Sequence, residues 1–396
     1  MKGKSWAPWL LAGLLALGPI PAAASDTAVA VPQAAYALTR ETAQKEVHGL
    51  QAIRLASRRA QDAFDEWQNS IGRAKDIDPE KRTFMNPWTG MTVTIRFDDK
   101  TQLRLRMQKY LLPDQMKLSW QMASKSLDVT LASLENTMDS LLLGLVASQN
   151  DLKAKVRSRT LSSDTLSRAK ASRAAGNLTQ LDVDAAALDL EKADMAVTAS
   201  ERAFENQCCN YNRFVGAPLS RKLTVSMGVS SIVLYLSAEE YAVQAIRNRM
   251  ELFSLREGIP LKERTLEMLA YKDMNKIDAD IATEYAGAEL DLERARLDLA
   301  DNERSIRSQI LAAFISLESA RLDLKIAEQS LQRQKDKLEA MKKQIAAGRV
   351  PAWSDDAMVN AIAGMEEGLS LSRLSLGVKV RRFRQAAQTG PAYSGY

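Results

Sequence analysis

One short phrase occurs twice in this chain, and it restricts the fold more than any other feature. Ala174-Ala175-Gly176-Asn177-Leu178-Thr179 is answered 172 residues further on by Ala346-Ala347-Gly348-Arg349-Val350-Pro351. At the same offset Asp184-Ala185 falls on Asp356-Ala357, and within two residues of it Gly216-Ala217-Pro218 has an echo in Gly390-Pro391. Each phrase has a long helical pattern before it and another after it. A glycine that takes the left-handed conformation closes the first helix at little steric cost. In the first copy Thr179 is placed to cap the second helix, with Asp182 in its acidic first turn. The chain therefore predicts two tandem helical hairpins.

The helical patterns are long. Leu127, Leu131, Leu134, Met138, Leu141, Leu145 and Leu152 follow one another by threes, fours and sevens, a coiled-coil type of seam. Sixty such residues would reach about 90 Å at 1.5 Å per residue. The returning helix places Leu181, Leu188, Met195 and Phe204 among many alanines and stops at Val215-Gly216. With 18 Gly and 11 Pro in 396 residues there is too little punctuation for a β-rich chain.

Before the first hairpin, Thr39 to about Ile77 reads as one amphipathic helix. Residues 91–107 then change period. Val93, Ile95 and Phe97 alternate with polar residues, Asp98-Asp99-Lys100 supplies a turn, and Leu103, Leu105 and Met107 alternate again, predicting a short β-hairpin. Between the repeats, Leu223–Met227 and Ile232–Leu236 carry two short β-like runs; Ser237 with Glu240 fits a capping box that opens the next helix. Long helices follow over Asp278–Ala347 and Ser354–Gln388.

Together these features resemble the outer-membrane efflux (TolC-like) family: two helix-turn-helix repeats, an Ala-Gly-x-Leu/Val-Thr turn, an Asp-Val-x-x-Ala helix start and a closing Gly-x-Pro. The resemblance implies an all-α, elongated coiled-coil bundle, with repeats over 25–218 and 219–390. It also implies a homotrimer enclosing a helical tunnel. A periplasmic adaptor (membrane fusion) protein and an inner-membrane pump would be its partners. The contact turns would be Gly176, Leu178, Thr179, Gly348 and Val350; Pro351 stands where that family has threonine. Asp182 occupies the place of the first tunnel-mouth acid. With Asp184, Asp355 and Asp356 beside the turns, the resemblance implies an acidic constriction that selects cations. The plainer expectation for these aspartates is that they complement helix N-termini.

One departure bears on function. Setting Leu38 against Leu236 shows that the first repeat holds about 26 residues the second lacks, and these coincide with the β-hairpin. The family's membrane barrel draws strands from both repeats. Here the arms hold six or seven residues, against about 9–11 for a bilayer-crossing strand. Two functions are therefore expected: an efflux or secretion conduit of the cell envelope, or an extracytoplasmic coiled-coil scaffold or adaptor without a pore.

Residues 1–24 read as a secretory signal peptide, from Lys2 and Lys4 through an apolar run to Ala22-Ala23-Ala24. The product is expected in the outer membrane or periplasm, with residues 391–396 a disordered tail. The net charge of +5 is interspersed along helices, which argues against a nucleic-acid partner. No catalytic, metal or cofactor site is expected. His48 is the sole histidine, and Cys208 and Cys209 have no metal-ligand spacing around them; two readings stand for the pair, small apolar fillers, which is the plainer, and a redox- or metal-responsive pair.

Overall fold

The computed structural model describes residues 36–88, 90–228 and 233–390. The signal peptide, the tail and residue 232 of the second β-like run lie outside them. In chain order the elements are β1 (Tyr36–Leu38), α1 (Arg40–His48), α2 (Gln51–Lys75), β2 (Lys81–Met85), β3 (Thr92–Arg96) and α3 (Asp99–Arg106). One wide turn, Met107–Leu111, passes α3 into α4 (Leu112–Ala174), which α5 (Gln180–Val215) and β4 (Leu223–Val225) follow. The second half holds α6 (Ala238–Asn248), α7 (Met250–Leu269), α8 (Met274–Ile277), α9 (Ala279–Ala346) and α10 (Asp356–Gln388). The fold is a helical bundle dominated by long antiparallel helices.

Two expectations need correction. The stretch from Thr39 to Ile77 is not one helix. It breaks at Gly49-Leu50, where Leu50 turns extended at ψ 145°. The second half breaks likewise between α6 and α7, at Arg249 with ψ 140°. The β-hairpin is also displaced. Strand β3 pairs with β2 upstream, Lys81 facing Arg96 and Met85 facing Thr92. Residues 99–106 are helical because Asp98 caps them, accepting from the Thr101 amide at 3.3 Å and the Thr101 hydroxyl at 2.5 Å. Leu103 and Met107, which fit an alternating pattern, also stand four apart. As a helical pair they pack with Leu269, Met274 and Ile281.

The four longest helices lie side by side in the order α5, α4, α10, α9. Helices α4 and α10 form the central seam. Arg168 pairs with Asp356. Arg157 grips Glu367 with two hydrogen bonds, at 2.7 and 2.5 Å. Further along, Asp139 on α4 meets Arg381 on α10, and Gln385 donates to Glu135 at 3.1 Å. As the α4 numbers fall those on α10 rise, so the helices are antiparallel and the turns at Gly176 and Gly348 lie at the same end. The flanking helices are laced on in the same way: Arg159 to Asp194 joins α4 and α5, and Arg373 to Glu328 at 2.7 Å joins α10 and α9.

Two apolar cores lie beneath this lacing. One gathers Ile306, Ile310, Ala313 and Leu317 of α9 with Leu376, Val380 and Phe383 of α10 and Tyr241 of α6. The other gathers Met138, Leu142 and Leu145 of α4 with Tyr211 of α5, Val47 of α1 and Leu38. Along α2 and α4, Trp67 and Trp120 stack at 4.9 Å. The link between the halves is anchored by a three-residue parallel pair, β1 with β4, Tyr36 facing Leu223. Beside it Glu46 accepts from the Tyr211 hydroxyl and from Arg221, each at 2.7 Å. Burial, then that carboxylate, pushes the Tyr211 hydroxyl well above the usual phenol range.

Asp139 is the deepest charge in the seam, with no exposed surface. Arg40 of α1 donates to it at 3.3 Å, opposite Arg381. Burial lowers the Arg381 pKa, and the Asp139 charge opposes that shift. Removing one partner of such a buried pair leaves the other uncompensated, a loss of about 3–5 kcal/mol. Asp139→Ala should therefore lower unfolding stability by that amount in urea titration, whereas Asp194→Ala on the exposed α4–α5 pair should cost under about 1 kcal/mol.

Candidate functional site: the paired turns and the open edges

Both turns are built alike. Helix α4 ends at Ala174 and Gly176 takes φ 77°; α9 ends at Ala346 and Gly348 takes φ 69°. The amide of Gly176 donates to Arg173 O at 2.9 Å and that of Asn177 to Ser172 O at 2.9 Å. Gly348 and Arg349 repeat this on Ile345 O and Gln344 O at 2.9 and 3.0 Å. The last carbonyls of each helix are thereby satisfied, and a side chain at either glycine would be strained.

Beyond the glycines the turns differ. Thr179 and Asp182 form a reciprocal cap: the Asp182 carboxylate accepts from the Thr179 amide at 2.8 Å and hydroxyl at 2.6 Å. The Thr179 hydroxyl and then its amide hold the Asp182 pKa below its ordinary value. In the second turn Pro351 has neither donor. A single tight turn, Ala352–Asp355, replaces the cap, and no side chain closes the start of α10.

Leu178, Asp182 and Asp184 are exposed and Val350 is half-buried. Asp184 accepts from the Gln180 side-chain amide at 2.5 Å. Asp356 is engaged by Arg168 from across the seam, so its charge is matched within the chain. Asp355 is half-buried and enters no ion pair or side-chain hydrogen bond among the described residues. The four acids thus divide by role: Asp182 serves the cap, Asp356 the seam, and Asp184 and Asp355 meet no cation among the described residues.

Two features escaped the sequence. Arg168 also lies over the Trp353 ring at 5.8 Å, fixing the second turn to α4; nothing local connects residues so far apart. The other is a pair of apolar stripes on the outer helices. On α5, Leu181, Leu188 and Met195 recur every seventh residue and stay 77%, 51% and 58% exposed. On α9, Leu290 with Leu297 and Ile315 with Leu322 do the same, opposite the buried face of Ile310, Ala313 and Leu317. The strict spacing of seven is legible in the sequence, but only the structure shows that these residues face outward.

Cys208 is buried and Cys209 half-buried, and both are free thiols. Burial raises the Cys208 pKa, which disfavours the reactive thiolate. Among the described residues no cluster of histidine, cysteine or carboxylates could hold a metal, and no helix is long and apolar enough to cross a membrane.

The Asp182 cap has a pH dependence. Its carboxylate pKa lies lower folded than unfolded, so its contribution is full above the ordinary aspartate range and fades as pH falls through the folded value. Exchange of the first-turn amides of α5, corrected for the intrinsic rate, should be flat from neutral pH to about pH 5 and accelerate below about pH 3.8. Asp182→Ala should lose this dependence and exchange faster throughout.

No known sequence family matches the chain, and no curated protein is detectably similar. Solved structures are similar in fold. CusC, described for its folding and transmembrane channel formation, superposes at TM-score 0.60 with 10% identity, over 89% of this chain and 92% of its own. The outer-membrane channel OprN gives 0.60 at 12% identity over 89% and 90%. The outer-membrane protein VceC of Vibrio cholerae gives 0.56 at 10% identity over 88% and 94%. The helical body has the fold of these outer-membrane channel proteins.

Proposed function

We propose that this chain is the tunnel-forming component of an efflux system of the cell envelope, working as a ring of three copies. The observation that carries the proposal is the open layer α5-α4-α10-α9, whose two outer helices each leave an apolar stripe uncovered. Unlike edges on one copy make a head-to-tail contact, and such contacts close into a ring when the rotation between copies closes. Covering each of these partly exposed Leu or Met side chains is worth at most about 1.5–3 kcal/mol, and the stripes add several such contributions along one edge. The efflux-channel fold supports three as the copy number, and the adjacency of both turns gives every copy one docking end.

At that end the turns would seat the hairpin tip of a periplasmic adaptor, through Gly176, Leu178, Thr179, Gly348 and Val350, beneath an inner-membrane pump. Asp184 and Asp355 are the acids free to form a cation-selective mouth, with Asp182 adding charge from its cap. Transport needs no reactive group from this chain; the helices supply the path. The five-residue arms of β2 and β3 favour a second reading, a scaffold that keeps the ring and the docking end but has no membrane pore.

Light scattering of the purified chain should give the mass of three copies. Leu188→Glu or Leu297→Glu should yield monomers of unchanged helicity; variants that keep the trimer mass overturn the edge assignment. Docking is tested separately. Proline fixes φ near −65°, far from the 77° and 69° found at the two glycines. Gly176→Pro or Gly348→Pro should lower adaptor capture at least ten-fold with the trimer intact, and unchanged capture would remove the turns from the docking site.

A further inference from the structure

Every residue of β2 and all but Val93 of β3 are exposed, and the hairpin is chemically one-sided. From Lys81 to Phe97 there is no acidic residue, while Lys81, Arg82 and Arg96 are all exposed cations. At its tip Met85 is 69% exposed, Trp88 92% and Met91 70%. Phe84 and Ile95 are exposed along its arms. Cross-strand pairing puts Arg82 opposite Ile95 and Phe84 opposite Val93, so one face is largely apolar.

The tip is held in shape. The Asn86 amide donates to Met91 O at 2.8 Å and the Gly90 amide to Asn86 O at 2.9 Å. The Trp88 amide donates to the Asn86 side chain at 2.9 Å. These bonds hold the chain at Asn86, Trp88 and Gly90, which lowers the cost of fixing the Trp88 ring on binding. The nearest acids are already engaged: Asp78 accepts from the Glu80 amide at 3.0 Å, Glu80 pairs with Arg106 at 3.3 Å, Asp98 caps α3, and Asp99 pairs with Lys272 at 2.5 Å.

We propose that this hairpin is an interfacial anchor that seats Trp88, Met85 and Met91 in the headgroup region of an anionic lipid bilayer, with Lys81, Arg82 and Arg96 facing the lipid phosphates. Tryptophan prefers the boundary between headgroups and hydrocarbon, and clustered cations add attraction to anionic lipid. An apolar tip with a basic collar is the combination that lies on a membrane. Five-residue arms reach about 17 Å at 3.4 Å per residue, short of the roughly 30 Å hydrocarbon core, so the hairpin dips in and does not span. It sits at the end of the molecule away from the two turns, with the 63-residue helix α4 between. This assignment does not rest on the docking role of the turns.

The test is co-sedimentation of the full chain with vesicles of phosphatidylcholine alone or with about 30% phosphatidylglycerol, the latter at low and high salt. The wild-type chain should bind the anionic vesicles preferentially, and salt should weaken the binding. Trp88→Ser, and separately Met85→Ser with Met91→Ser, should lower partitioning at least ten-fold without changing helicity. Lys81→Gln, Arg82→Gln and Arg96→Gln combined should abolish the preference for anionic lipid. Three results would overturn the proposal. The first is wild-type binding that is absent or untouched by the tip variants. The second is a lipid-free mass that changes in those variants, which would make the hairpin a contact between copies. The third is dye release from the vesicles that depends on Trp88, which would make it part of a spanning pore. Trimer mass is read on the edge variants without lipid, so either assignment can fail alone.

Discussion

The seam between α4 and α10 is the constraint on which the other parts depend. It is the place where the two halves of the chain become one body, and it is laced with charges as well as apolar contacts. Asp139 carries a charge with no water around it, between Arg40 and Arg381. Such an arrangement adds little net stability over a well-packed apolar alternative, but it is unforgiving of slippage. A coiled-coil seam of leucines and alanines can slide by a heptad and still bury oil. A buried carboxylate facing two guanidinium groups cannot. The seam therefore fixes the register of one half against the other, and that register brings Gly176 and Gly348 to the same end.

The outer helices obey the opposite logic. Helix α9 buries Ile310, Ala313 and Leu317 against α10, yet turns Ile315 and Leu322 outward, and α5 does the same with Leu181 and Leu188. A helix with apolar residues on two faces belongs between two neighbours. Within one chain α5 packs on α4, and α9 packs on α10, α6 and α7, yet each leaves its second stripe uncovered. The solvent-facing leucines are thus the counterpart of the buried aspartate: charge in the seam secures register within a copy, and oil at the edges supplies affinity between copies.

Much of the helical plan was legible from two signals, the duplicated Gly-containing turn and the three-four-seven spacing. Both are local: a left-handed glycine and a helical stripe are properties of a few consecutive residues. The capping pair Thr179–Asp182 and the box at Ser237–Glu240 were readable for the same reason. The failures also have a physical pattern. Leu103, Leu105 and Met107 satisfy strand alternation and a helical i, i+4 pair equally, and the decision came from Asp98 as a cap and from Leu269 and Ile281, far away in sequence. The break at Leu50 carried no proline, and the pairing of Arg168 with Asp356 and Trp353 joins residues almost 190 apart. Which of two apolar stripes on α9 faces inward depends on where α10 lies, and periodicity alone does not contain that.

The small parallel pair of β1 and β4 has an effect out of proportion to its three residues. Leu38 is wholly buried, but its partner strand lies at Leu223–Val225, near the middle of the chain. A chain made and threaded from its amino end would carry the first strand unmatched while nearly two hundred residues followed it. Contacts so distant in sequence form late, because the intervening loop must close first. The strand pair consequently locks only when the linker arrives, so the first half docks α1 and α2 on α4 before its own opening strand has a partner.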